Sequence, residues 1–207
     1  RSYVQRDLPE LGLRLSSTTM ERFWSMLAHY HGQIWNASEL GRAFGVADTT
    51  VRSYLDVLTS TFMVRQLKPW FQNLAKRQVK APKIYISDTG LLHTLLGVRT
   101  RIDLLRHPKV GASWEGFLLG QVIQRLGAGH EECFFWATHG GAELDLLIVH
   151  GTRRLGFELK RTTAPEVTRS MLTAIEDLRL DRLDVIHAGR ETFPLQRGIR
   201  AGASEQI

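Results

Sequence analysis

The chain predicts an α/β protein in two parts: a helical amino-terminal part, then an α/β domain built on a central mixed sheet. Three observations carry this. Helix-cap residues recur at short intervals through the first half. From residue 114 onward, apolar helical and extended runs alternate. Glu115, Asp145 and Glu158 each fall inside one of those runs, with Lys160 two residues after the last.

In the first half, Thr18-x-x-Glu21 reads as a capping box opening a helix through Phe23, Trp24, Leu27 and Ala28 to Gly32. Asn36-x-x-Glu39 caps a second helix ending near Phe44-Gly45. Asp48 caps a third, whose apolar stripe is Val51, Leu55, Leu58 and Phe62. The short Gly45-Val46-Ala47 connection is a helix-turn-helix signature. Extended runs at 63–67 and 83–86 pair as a wing, so residues 16–97 read as a winged-helix domain. Its third helix would present Thr49, Thr50, Arg52 and Ser53 to a major groove. Trp24, Trp35, Phe44 and Phe62 read as core. Asp88 reads as the cap of a short helix at 91–96.

Charge supports a polyanionic partner for this half. Residues 1–97 carry 12 Lys and Arg against 7 Asp and Glu, whereas residues 98–207 carry 15 against 14. No acid lies between Asp56 and Asp88, while Arg65, Lys68, Lys76, Arg77, Lys80 and Lys83 are basic. Thr49, Thr50, Arg52, Arg65, Lys76, Arg77, Lys80 and Lys83 are therefore the candidate DNA contacts. Asp48 and Asp56, on the same helix as Arg52, oppose phosphate contact.

In the second half, Glu115 shares a helix face with Leu118, Leu119, Val122 and Leu126, and burying a lone carboxylate is costly. An exposed end, a partner or a metal must account for it. Strands follow at 134–137, 144–149 and 154–160, then a helix at 166–180 and a strand at 183–187. Alternation puts Glu143 with Asp145 on one face and Glu158 with Lys160 on one face. A hairpin turn at Gly151-Thr152 brings Asp145 and Glu158 together beside Lys160. Two such carboxylates suit Mg²⁺ or Mn²⁺, and the ammonium suits an attacking water and phosphate charge. His139, next to Gly140-Gly141, reads as a solvated loop histidine.

The helix–three strands–helix–strand order, with acid, acid and acid-x-lysine in sequence, resembles the PD-(D/E)xK nuclease superfamily over residues 111–201. The resemblance implies a restriction-endonuclease-like fold for residues 98–207. Glu115, Asp145, Glu158 and Lys160 would be its catalytic set, and Asp145 and Glu158 its Mg²⁺ (or Mn²⁺) ligands. No Gln follows Lys160 in the next helix, so the added motif of the RecB-like exonuclease branch is missing.

Further segments extend the likeness: Tyr3-x-x-Arg6-Asp7, Gly32-Gln33-Ile34-x-Asn36, Asn73-x-x-Lys76-Arg77, Lys80-x-Pro82-Lys83-x-Tyr85 and Asp88-Thr89-Gly90-Leu91. Together with the acidic set they resemble the carboxy-terminal region of predicted AAA-superfamily ATPases of bacteria and archaea. In that family a P-loop module precedes a domain of unknown function. No Gly-x-x-x-x-Gly-Lys-[Ser/Thr] occurs in the chain, so ATP is expected only on an amino-terminal module outside it, with residues 1–15 as linker. The expected partners are DNA and that ATPase module. The implied function is DNA binding with metal-dependent phosphodiester cleavage; the alternative is an inactive nuclease-fold platform that binds DNA or a protein partner and regulates the attached ATPase.

Composition bounds the rest. With 207 residues, 43% apolar and 23% charged, the chain matches an ordinary globular protein. No apolar run approaches the roughly 18 residues of a membrane span. The single cysteine, Cys133, excludes an internal disulfide, fits a reducing cytoplasm and reads as an inert core thiol. The eight histidines show no zinc-ligand spacing.

Overall fold

The computed structural model describes residues 16–71 and 79–207. The linker expected at 1–15, and Lys76 and Arg77 of the basic run, lie outside the described residues. The described strands form one mixed sheet in the order β1-β3-β2-β4-β5-β6-β7-β9-β8. Two compact units divide the chain, one running to Gln66 and resuming over Ile84–Val110, the other comprising Leu67–Lys83 and Gly111–Ile207.

The first unit opens with α1 (Ser17–Tyr30), capped by Ser16 rather than by Thr18: the Ser16 side chain accepts from the Thr19 amide at 3.1 Å. Met20, Phe23, Trp24, Leu27 and Ala28 recur at helical spacing and are buried. After β1 (Gln33–Ile34), Asn36 caps α2 (Ala37–Phe44) by accepting from the Glu39 amide, and Gly45 ends it in the left-handed region at φ 67°. The next helix, α3 (Asp48–Ser60), has Ala47 at its cap position and no side-chain cap bond. Asp48 instead accepts from the Ser38 hydroxyl at 2.6 Å, tying α3 to α2. The edge-on rings of Phe44 and Tyr54 meet Phe23, so all three helices share one core.

The α2–α3 turn is tight enough to specify its glycine. A Cβ at Gly41 would lie 2.9 Å from the Val46 carbonyl oxygen, where only backbone could give way. Gly41→Ala is expected to lower stability by about 1–3 kcal/mol, an overpacking cost, read as a lower midpoint in urea; an unchanged midpoint would refute the packing argument.

Phe62 departs from the core expected of it. The helix ends at Ser60, Phe62 takes φ 62°, and its side chain is 84% exposed. The apolar spacing through Leu58 continues to Phe62, one turn beyond the point where the helix stops. β2 (Val64–Pro69) and β3 (Lys83–Ile86) are neighbours in the sheet, as the paired runs suggested. Asp88 caps α4 (Thr89–Leu95), accepting from the Leu91 amide. A helix with no sequence expectation, α5 (Arg101–Arg106), starts on a Thr100/Asp103 capping box.

In the second unit, α6 (Val110–Leu126) buries Leu118, Leu119 and Val122, while Leu126 is exposed. β4 (Cys133–Ala137), β5 (Glu143–His150) and β6 (Arg153–Lys160) form an antiparallel run, with a two-residue turn at Gly151-Thr152 setting His150 opposite Arg153. α7 (Arg169–Leu178) is shorter than expected because Thr168 caps it, accepting from the Met171 amide at 3.3 Å. β7 (Arg182–His187) lies parallel to β6. Two further strands, β8 (Phe193–Gln196) and β9 (Ile199–Ala203), complete this edge and had no sequence expectation.

Met171, Ala174 and Leu178 of α7 pack against Trp136, Leu144, Leu147, Leu183, Val185 and Ile199. This cluster fixes α7 over the sheet, each large side chain contributing about 1.5–3 kcal/mol by burial. Asp184 is buried in β7 with Arg182 and Arg200 each 2.9 Å from it, a satisfied structural ion cluster.

Candidate functional site

The antiparallel register places Leu146 opposite Phe157, which sets Asp145 opposite Glu158 one step further along. Both carboxylates are buried, at 6% and 4% exposure. Both turn to the Lys160 ammonium, 2.6 Å from Glu158 and 3.7 Å from Asp145. The Asp145 oxygen nearest Lys160 also accepts from the Leu159 amide at 2.9 Å, which fixes the carboxylate. That cavity, about 250 Å³, is lined by Glu143, Asp145, Glu158, Lys160, Thr168 and Ser170.

Glu115 and Lys83 complete the set. Lys83, expected on the basic surface, is instead buried, with its ammonium bonded to Glu143 and 3.6 Å from Glu115. This corrects its assignment as a DNA contact and supplies the partner that Glu115 required on its apolar helix face. Trp70 and Val79 lie alongside β4, Trp70 donating to the Phe135 carbonyl and Val79 to that of Ala137. Ser170 fixes β5 from the other side, accepting from the Glu143 amide and donating to the Glu143 carbonyl, both at 2.7 Å.

The electrostatics follow from crowding. Burial, then the Asp145 charge, push the Glu158 carboxyl up to about 8, against the pull of Lys160. Burial draws Lys160 down, but Asp145, Glu158 and Glu115 outweigh it and hold the ammonium above its ordinary value. Lys83 is likewise drawn down by burial and raised further by Glu115, Asp145 and Glu143. Each lysine therefore stays charged across the neutral range, and each covers carboxylates.

Asp145 and Glu158 offer hard oxygen donors of the kind Mg²⁺ takes with water completing its shell. Among the described residues, no three His, Cys, Asp or Glu side chains converge as a ready-made metal cage. Asp145 and Glu158 are the two residues that would hold a hydrated cation, beside the 43% exposed Lys160.

The remaining nucleic-acid candidates separate. Thr49, Arg52, Ser53 and Asp56 line a groove of about 460 Å³ along α3. Thr50 is half-buried, Arg65 lies half-buried in β2, and Lys80 is exposed. Cys133 is buried and donates to the Gly129 carbonyl. Lys83, Glu143, Thr168 and Ser170 were not expected at the site. Glu143 had a signal, two residues before Asp145 on the same strand face; Lys83 had only its place at the head of the apolar run Ile84-Tyr85-Ile86.

Among the described residues no helix is long and apolar enough to cross a membrane. Residues 1–101 match a family described as a domain of unknown function (DUF8612), and residues 110–205 match a second, domain of unknown function (DUF4143). No solved structure matches the chain. The chain is similar to the uncharacterized proteins Mb2031c of Mycobacterium bovis and Rv2008c of Mycobacterium tuberculosis, each 50% identical over 206 residues. The match covers 100% of this chain and 46% of each relative, so the chain spans about half the length of the curated relatives it matches.

Proposed function

We propose that this chain is the DNA-binding and metal-dependent phosphodiester-cleaving portion of an AAA-type ATPase. The observation that carries the reading is the convergence of buried Asp145 and Glu158 on the Lys160 ammonium at the β5–β6 edge. On this reading the second unit has a PD-(D/E)xK nuclease fold and the helices of the first a winged-helix role. The ATPase module would lie in the part of the relatives' length that this chain does not span. A bound Mg²⁺ supplies charge for the phosphate and an activated water. Asp145, held by the Leu159 amide, gives a fixed oxygen for it, and Lys160 holds the water and offsets developing charge. Glu158 must first lose its proton.

The test is direct. With Mg²⁺ or Mn²⁺, the wild type is expected to cut single-stranded, duplex or branched DNA, and Asp145→Asn or Lys160→Ala to abolish cutting while the protein still melts cooperatively. Calorimetry is expected to show Mn²⁺ binding in the wild type and none in Asp145→Asn. No cutting on any substrate, with no Mn²⁺ uptake, would end this reading. A second reading, the inactive platform regulating the ATPase, is favoured by one observation: Lys83 and Lys160 already cover the site's carboxylates.

DNA docking has its own prediction. Replacing Arg52 and Lys80 by Ala should each lower the log–log salt slope of duplex binding by about 0.9. An unchanged slope would remove both from the interface.

A further inference from the structure

We infer that the cavity formed by residues 138–142 and the first turns of α7 is a phosphodiester subsite, gripping the nucleic-acid strand beside the bond presented to Lys160. The inference rests on the cleavage reading and assigns it a substrate-positioning surface. The cavity measures about 570 Å³. That lies within the roughly 300–1,000 Å³ of ligand-binding pockets and gives room for one nucleotide. Ser170 lines both this cavity and the acidic one, so the two share a wall.

Their linings are opposite in charge. The acidic cavity carries three carboxylates, whereas no carboxylate lines its neighbour. There the polar groups are the Arg169 guanidinium, the His139 imidazole and the hydroxyls of Thr138, Ser170 and Thr173. A phosphate placed there meets the Arg169 guanidinium with no carboxylate opposing it, while the scissile phosphate next to it meets carboxylates that would need a divalent cation. Arg169 is exposed and makes no ion pair with an Asp or Glu among the described residues. Its planar fork of donors matches two phosphate oxygens at once. Arg169 is also the first residue of a ten-residue helix, whose amino-terminal dipole adds to its charge.

The facing wall is built in advance. Thr138 donates to the Ala142 carbonyl at 2.8 Å, Gly141 to the Thr138 carbonyl at 3.1 Å, and Ala142 to the Thr138 hydroxyl at 3.2 Å. Gly141 takes φ 86°, and a Cβ there would meet nothing within 4 Å. Glycine is needed at this position for the turn, and the space beside it stays open to a ligand.

The experiment is fluorescence anisotropy with labelled oligothymidylate and oligouridylate of about 15 nucleotides, in EDTA to prevent cutting. Arg169→Ala is expected to weaken binding about tenfold and lower the single-strand salt slope by about 0.7, with Arg169→Lys keeping the slope. Arg169→Gln serves as a second neutral variant should Arg169→Ala melt early. Which oligonucleotide binds tighter decides DNA against RNA. Wild-type affinity and slope in both neutral variants, or no binding of either strand by the wild type, would overturn the subsite. Mn²⁺ calorimetry on the wild type separates the two readings. Arg169-dependent strand binding without Mn²⁺ uptake keeps the subsite and removes cleavage. Mn²⁺ uptake with Arg169-independent strand binding removes the subsite alone.

Discussion

Glu158→Gln is expected to make the protein more stable above neutral pH in the absence of metal, and to flatten its pH dependence. The folded Glu158 keeps its proton to about 8, whereas its ordinary value is 4.5. Below pH 4.5 both folded and unfolded chains hold the proton, so burial of the neutral acid carries no charge penalty. Between 4.5 and 8 the unfolded chain releases the proton and the folded chain does not. Stability therefore falls as pH rises through this window, by up to about 1.4 kcal/mol per pH unit, and the loss is complete above the folded value. Over the whole window that is on the order of several kcal/mol. Gln keeps the shape and stays neutral, so it escapes the loss. Urea melts in EDTA from pH 5 to 9 measure this directly. Parallel curves for wild type and variant would mean that Glu158 is charged in the fold throughout. The same proton must leave when a cation arrives, so Mn²⁺ affinity in the wild type is expected to rise with pH up to about 8.

Much of this site is legible in the sequence because strands impose a period of two. Once Gly151-Thr152 is read as a turn, the pairing of Asp145 with Glu158 and the nearness of Lys160 follow from counting. Helix caps are equally local, which is why Asn36, Gly45 and Asp88 can be placed without a structure. Thr18 and Asp48 lie just inside their helices rather than at the caps, because the first helical residue is set by backbone angles that a run of candidate cap residues does not specify. Lys83 belongs to another class. It lies 60 residues in sequence from Glu143, its partner in the fold. No local pattern distinguishes it from the solvated lysines around it. The strands β8 and β9 are four and five residues long and carry Pro194 and Gly202, both poor strand formers, so no alternating pattern marks them off from the loops.

Lys83→Met is expected to be among the most destabilising single changes in the second unit, despite replacing a charge with an apolar group of similar length. The ammonium is buried, bonded to Glu143 and close to Glu115 and Asp145, which hold it above its ordinary value against the cost of burial. Removing it takes from Glu115, on its apolar helix face, the ammonium that lies 3.6 Å away. Breaking a buried pair from one side costs about 3–5 kcal/mol; Glu143 is 44% exposed and regains water, which favours the lower end. A cycle with Glu115→Gln isolates the pair. The double variant should recover much of the loss, because Gln needs no countercharge. Additive losses would show that Lys83 acts through packing against the Phe135 ring, 5.6 Å from its ammonium, rather than through Glu115. The cycle also bears on metal binding. With Lys83 gone the carboxylates carry a greater net negative charge, so Mn²⁺ should bind Lys83→Met more tightly than wild type and restore part of its melting temperature. A variant that is destabilised but gains nothing from Mn²⁺ would identify Lys83 as purely structural and set it apart from the metal-binding chemistry.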